Sequence, residues 1–163
     1  MPELNKQSEL NIQAKLAVED LLRADEEQLY ELIGIRSRAI SEDLSLNGTF
    51  KPSVQYKGSE MGPLDDLQIF GKRMFMRLEK EMYNLFCGSS VEDDEARNKL
   101  ADAFNVGPTE VAAVMAILLV THVGLSPAIA PVIAALAVKR FLEPVYEEFC
   151  LIWGERLSET DNS

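Results

Sequence analysis

The residue types that most often carry catalysis or bind metals are scarce in this chain, which has one histidine and two cysteines among 163 residues. His122 stands next to Thr121 in an apolar stretch, whereas protein metal sites generally need several ligands. A carboxylate-bridged metal bundle needs a Glu-x-x-His pair, and Leu119 stands where the glutamate would be. We therefore predict no catalytic, cofactor-binding or metal-binding residue. We interpret His122 as a buried, neutral side chain bonded to a backbone carbonyl or to another helix.

The acidic residues and the glycines also lack the spacing of known sites. The acidic run 92–95 has neither the alternating spacing nor the central glycine and terminal glutamate of an EF-hand loop. Glu143, Glu147 and Glu148 are a formal alternative as an acid–base pair, but at helical spacing beside Pro144 they are typical of a solvated face. The sequence contains no glycine-rich phosphate loop and no dinucleotide fingerprint. These absences favour a non-catalytic protein.

The two cysteines and the first residues bear on the cellular compartment. Cys87 and Cys150 each lie in an apolar helical pattern, and free cysteine is among the most buried residue types. We expect two reduced thiols in the core, although two cysteines alone do not show whether they are joined. The first ten residues, MPELNKQSEL, lack the basic and apolar regions of a secretory signal. These features together predict a cytoplasmic protein.

The stretch 111–138 carries no charged side chain apart from His122 in its protonated form, and we predict that the rest of the chain is built around it. Gly124, Ser126 and Pro127 interrupt it with signals for a helix end, an N-cap and a helix start. The pattern predicts a helical hairpin with arms at about 109–123 and 127–142. Each arm would be about 22–24 Å long, which is short for the ~30 Å hydrocarbon core of a bilayer.

Amphipathic segments precede and follow this hairpin. The first has Ile12, Leu16, Leu21 and Leu22 with Ala14, Ala17 and Val18 between them, which predicts a helix with one buried stripe. The second contains Gly34, for which close contact with a neighbouring helix would be a reason. Because each apolar stripe needs a surface to cover, the sequence predicts an all-α, single-domain bundle of about six to seven helices over 1–163 around the central hairpin. The termini, 1–7 and 159–163, are expected to fray. The helices outside the hairpin are predicted at 9–23, 26–40, 63–87 and 145–158, with one more that follows the acidic turn 92–95 and runs to about 104.

The segment 63–87 has the clearest amphipathic pattern. Its opposite face has the densest cluster of positive charge, which includes Lys72, Arg73 and Arg77. A basic amphipathic helix can occupy a partner's groove or lie on a membrane, but the acidic residues Asp65, Asp66, Glu79 and Glu81 cancel its charge locally and favour a solvated face. The predicted inward residues are Leu67, Phe70, Met74, Phe75, Leu78, Met82, Leu85 and Phe86.

Residues 41–62 are rich in turn signals and predict a long loop. Loops of this length are often functional or disordered. If this loop recognises a partner, we expect Phe50, Tyr56 and Lys57 to be the contact residues. With Lys72, Arg73 and Arg77, they are the candidate partner-binding residues.

The overall charge narrows the classes of partner. The chain has 27 acidic and 16 basic residues, a formal charge of −11, which argues against nucleic-acid binding. We predict a non-catalytic helical protein without a cofactor that acts by binding another protein or by self-association. One alternative is an amphitropic protein whose hairpin inserts into membranes. Another is a carrier or enzyme with an apolar ligand pocket.

Overall fold

The computed structural model of the protein describes residues 2–161, with side chains for residues 9–159. Eight α-helices occur in this range and no residue of it lies in a strand, which confirms the predicted all-α bundle. Short 3₁₀ turns, Leu44–Gly48 and Val91–Asp93, precede α3 and α5, and a π-helical turn, Leu119–Val123, follows α6. The α-helices are α1 (Pro2–Leu21), α2 (Glu26–Glu42), α3 (Gly58–Met61), α4 (Leu64–Cys87), α5 (Asp94–Phe104), α6 (Pro108–Leu118), α7 (Ala130–Phe141) and α8 (Tyr146–Asp161).

The predicted apolar hairpin is formed by α6, its π-helical extension and α7. Gly124 ends the first arm in the left-handed region, with φ of 81°, and its N–H bonds to the Leu119 carbonyl. The second arm begins three residues later than predicted, at Ala130. Ser126 forms the intervening turn, because its carbonyl accepts the N–H groups of Ile129 and Ala130 at 3.0 and 2.9 Å.

The hairpin is covered by the chain's own helices. α1 packs on both arms, α2 packs on α7, and α5 packs on α6. Ala112 and Ala116 on one arm and Ala130 and Ala134 on the other are fully buried. This arrangement confirms the central position predicted for the hairpin. Among the described helices, none combines the length and apolar character that crossing a membrane requires.

Two glycines bring α2 and α4 unusually close together. A Cβ on Gly34 would lie 2.5 Å from the Leu67 carbonyl oxygen, and a Cβ on Gly71 would overlap the Tyr30 carbonyl oxygen. Side chains larger than hydrogen therefore do not fit at this contact. The close neighbour expected for Gly34 is confirmed, and it is α4.

The predicted stripe of α1 is wrong in part. Ile12 and Leu16 are 59% and 54% exposed, whereas Ala14, Ala17 and Val18 are buried. Small inward side chains let α1 approach α6 and α7 closely, and the helix then turns its larger residues away from the core. The backbone of α1 begins at Pro2 and that of α8 ends at Asp161. The fraying expected for 1–7 and 159–163 stays a prediction, and residues 1, 162 and 163 of those segments lie outside the described residues.

The loop expected at 41–62 is only partly irregular. It contains the end of α2, the 3₁₀ turn and α3, and 49–57 has no helix or strand. The Ser126 hydroxyl donates to the Asn47 carbonyl at 3.1 Å, which ties this segment to the tip of the hairpin. Beside this contact, Arg36 donates from Nη1 to the Ala128 carbonyl at 2.9 Å. Burial of the Arg36 guanidinium lowers its pKa to about 10.

The expectation of two reduced thiols is wrong. Cys87, the last residue of α4, is joined to Cys150 of α8 by an S–S bond of 2.09 Å, with the two Cα atoms 5.5 Å apart. The crossing of α4 and α8 brings the cysteines together across 63 positions of sequence, which helical periodicity does not predict. Because disulfides persist mainly in oxidising compartments, the prediction of a cytoplasmic protein loses one of its two arguments.

Candidate functional site

The outer surface of α4 combines exposed apolar side chains with cations. Ile69, Phe70 and Met76 are 50%, 49% and 49% exposed. They follow one another at helical spacing with the exposed residues Arg73, Arg77 and Lys80. We call the six residues Ile69, Phe70, Arg73, Met76, Arg77 and Lys80 the α4 face.

The close contact between α2 and α4 explains why Phe70 is on this surface. The residues of α4 that lie inward include Gly71, Phe75 and Met82, and their direction is set by the glycine contact with Tyr30. Phe70 precedes Gly71 by one residue and so points about 100° away from it, given 3.6 residues per turn. The prediction that Phe70 faces the core is therefore wrong.

Phe70 lines two clefts. The first, of about 520 Å³, is lined by four members of the α4 face, Ile69, Phe70, Arg73 and Arg77, together with Asp66 and Met74. The second, of about 470 Å³, lies between α4, the end of α2 and the turn after α3. Phe70 and Asp66 line both clefts. An apolar side chain from a partner could therefore contact Phe70 in either cleft.

The predicted contact residues in the loop divide between core and surface. Phe50 is buried at 7% exposure and belongs to the main hydrophobic cluster, so its predicted role as a surface contact is wrong. Tyr56 is exposed and its hydroxyl donates to the Gly62 carbonyl at 2.5 Å. Because Gly62 lines the second cleft, this bond places Tyr56 near that cleft. Lys57 is exposed at the start of α3.

The predicted contact residues on α4 are all exposed. Arg73 and Arg77 line the first cleft, whereas Lys72 lies on the helix beside it. The carboxylates that we expected to cancel this charge do so only in part. Asp65, Asp66 and Glu81 are exposed, but Glu79 is buried and faces the interior. The cations therefore outnumber the carboxylates over the central turns of the helix.

His122 is exposed, so its prediction as a buried polar residue is wrong. It lies in the π-helical turn that ends the first arm of the hairpin, and this turn points the ring outward. Its Nδ1 is 2.9 Å from the Thr121 hydroxyl oxygen. Within the described part of the chain, no three His, Cys, Asp or Glu side chains group in a way that could hold a metal ion.

A buried polar network joins α2, α4, α7 and α8, and sequence reasoning did not find it. Arg140 of α7 donates to the Tyr30 hydroxyl at 2.5 Å and lies over the rings of Phe75 and Phe141, with centroid distances of 5.5 and 5.4 Å. The position of Glu79 among apolar residues at inward spacing was the available signal.

Glu79 completes this network. Burial of its carboxyl raises its pKa, and this effect is opposed by the nearby Arg140 charge and by the nearby Trp153 indole. Burial likewise raises the pKa of Tyr30, again against the effect of Arg140. Through the Tyr30 hydroxyl and the Phe75 ring, the Arg140 guanidinium links α7 to α2 and α4.

Comparison with known proteins gives no family for this chain: no family model matches it, and neither do the curated proteins or the solved structures that were compared. The α4 face, with its two clefts, is the candidate functional site on the geometry alone.

Proposed function

We propose that this protein acts by binding another protein chain through the α4 face. The observation that carries the proposal is the exposure of Ile69, Phe70 and Met76 beside two arginines on one rigid helix. Aromatic residues, methionine and arginine are the types enriched at protein interfaces. Most exposed apolar side chains need no explanation when they stand alone, but these three lie on one surface of the helix, and Ile69 and Phe70 line a cleft.

The charge of the face indicates the chemistry of the partner. Arg73, Arg77 and Lys80 lie on a protein whose formal charge is −11, so they form a local positive region on an otherwise acidic chain. Charged groups at an interface select partners of complementary charge. The occupant that fits is an amphipathic helix with apolar side chains for the clefts and carboxylates along its edge.

The position of the α4 face on a well-anchored helix supports this proposal. α4 is fastened to α2 through the glycine contact and to α8 through the Cys87–Cys150 bond. A rigid surface loses little conformational entropy when a partner binds. This proposal does not depend on the cellular compartment, for which the cytoplasm remains our proposal.

Fluorescence anisotropy with a designed peptide tests the proposal. The probe is a labelled 20-residue helix with leucines on one face and glutamates flanking them, and a peptide with lysines in place of the glutamates is the charge control. We expect the acidic peptide to bind and Phe70→Ala to weaken binding about tenfold, about 1.4 kcal/mol. Arg77→Glu should weaken it similarly, whereas Lys99→Glu on α5 should not.

Two results would count against the proposal. One is equal binding of the acidic and lysine peptides. The other is an affinity that Phe70→Ala leaves unchanged, since the probe would then bind elsewhere on the molecule.

A further inference from the structure

We infer that the segment occupying the α4 face is helix α1 of a second copy of this chain, so that the protein assembles head to tail. This inference rests on the proposed function and names the partner. It starts from the second exposed apolar surface of the molecule, which lies on α1.

Helix α1 has an acidic amphipathic surface directed away from its own core. Ile12 and Leu16 are more than half exposed, and Glu9, Glu19 and Asp20 are exposed beside them. At 100° per residue these five side chains fall within an arc of about 100°. We call them the α1 face. Two apolar residues flanked by carboxylates are the pattern that the α4 face requires.

The two faces match in spacing as well as in charge. Positions 12, 16, 19 and 20 on α1 have the same intervals as positions 69, 73, 76 and 77 on α4. With the helices side by side and parallel at these matched positions, Ile12 would lie against Ile69 and Phe70, and Leu16 would lie level with Arg73. Glu19 would then lie near Arg77 and Lys80. The antiparallel arrangement would place Glu19 near Asp66 instead, and like charges at an interface disfavour it.

The two faces do not cover each other within one chain. α1 packs on α6 and α7, whereas α4 packs on α2, α5 and α8, and both faces are exposed. Contact between them therefore needs two molecules. Because it joins different surfaces of identical chains, the interface is heterologous and continues into a ring or a filament.

The charges of the two chains have opposing effects on this association. The formal charge of −11 per chain repels a second copy, and the attraction between the faces is local. Asp20 already pairs with Lys51 at 2.8 Å, with both side chains 60% exposed. Glu19 is therefore the better carboxylate for a test of the register.

The experiment is sedimentation velocity of the full chain over a wide concentration range. Leu16→Lys removes an apolar contact from the α1 face and places a positive charge near Arg73 of the other chain. Phe70→Glu changes the α4 face and leaves the α1 face intact. Leu151, which is exposed on α8, is changed to lysine as the matched control. All these positions are exposed, and circular dichroism confirms that each variant keeps its helical content.

We expect the wild-type chain and Leu151→Lys to form larger species as concentration rises. Leu16→Lys and Phe70→Glu should each weaken association at least tenfold. An equimolar mixture of these two variants retains one intact α1 face and one intact α4 face, so it should form a two-chain species and nothing larger. Glu19→Lys and Arg77→Glu should each weaken association when present alone. A mixture of the Glu19→Lys chain with the Arg77→Glu chain should restore association, because the two opposite charges are exchanged across the interface.

Three outcomes would overturn the inference: a wild-type chain that stays monomeric throughout, a mixture that does not associate, or an equal effect of Leu151→Lys. If the chain is monomeric but the acidic peptide still binds in a Phe70-dependent manner, self-assembly fails and the proposed function stands. If the peptide also fails to bind, both fail.

Discussion

The contact between α2 and α4 predicts that replacing Gly71 by alanine destabilises the protein, although alanine is the better helix former. A Cβ at this position would overlap the carbonyl oxygen of Tyr30. The obstacle is main chain in the middle of another helix, so it cannot move aside as the end of a side chain can. The two helices must separate to admit the methyl group.

The magnitude follows from two opposing terms. Alanine gains about 1 kcal/mol over glycine in helix propensity. Overpacking of a well-packed interior costs typically 1–3 kcal/mol, and we take the upper end, about 3 kcal/mol, because backbone has to shift. The net loss is about 2 kcal/mol, which for a chain of this size lowers Tm by roughly 4–8 °C.

Urea unfolding followed by circular dichroism at 222 nm measures this loss. Gly48→Ala is the matched control, because a Cβ there would have no neighbouring heavy atom within 4 Å and a surface change of this kind stays within about 0.5 kcal/mol. If Gly71→Ala is as stable as the wild type, the glycine contact does not set the distance between α2 and α4. The explanation for the exposure of Phe70 would then fail as well.

Two further predictions concern the disulfide and the buried glutamate. Reduction of the Cys87–Cys150 bond, which joins residues 63 positions apart, should lower the free energy of unfolding by about 4 kcal/mol, because the unfolded chain gains entropy. Urea unfolding with and without a phosphine reductant measures this loss, and the double serine variant is the control. An unchanged unfolding midpoint would contradict the prediction. Burial raises the pKa of Glu79, so its protonated form stabilises the fold fully below the unfolded-state pKa, and that contribution is lost as pH rises through the folded-state pKa. Glu79→Gln should therefore gain stability relative to the wild type as the pH rises above about 4, the ordinary pKa of a glutamate, and unfolding curves that show the opposite trend with pH would refute the assignment.

Much of the architecture could be predicted because it depends on local signals. Gly124 and Ser126 mark the turn of the hairpin, and the uncharged arms on either side need burial whatever surrounds them. The close neighbour predicted for Gly34 was also confirmed, because a glycine inside a helix often marks a place where another helix lies too close for a side chain. The turn, the apolar arms and the glycine each depend on a few neighbouring residues or on local composition, which the sequence shows directly.

The errors share one physical cause. Ile12 and Phe70 belong to apolar stripes that are wider than the buried surface, and periodicity alone does not say which edge of a stripe faces outward. Small residues decide this, because helices approach most closely where alanine or glycine lies between them. His122 was misplaced for a related reason, since the π-helical turn in which it lies changes the direction of its side chain relative to an α-helix.

What the sequence by itself determined is the helical class, the central hairpin and the cluster of positive charge along one side of the helix over 63–87. Only the tertiary structure decided that Phe70 stands among those cations, that Glu79 turns inward to Arg140, and that Cys87 meets Cys150. Each of these features depends on contacts between segments that are far apart in the chain. Their geometry depends on the distance and angle between packed helices, which the pattern within one helix does not specify.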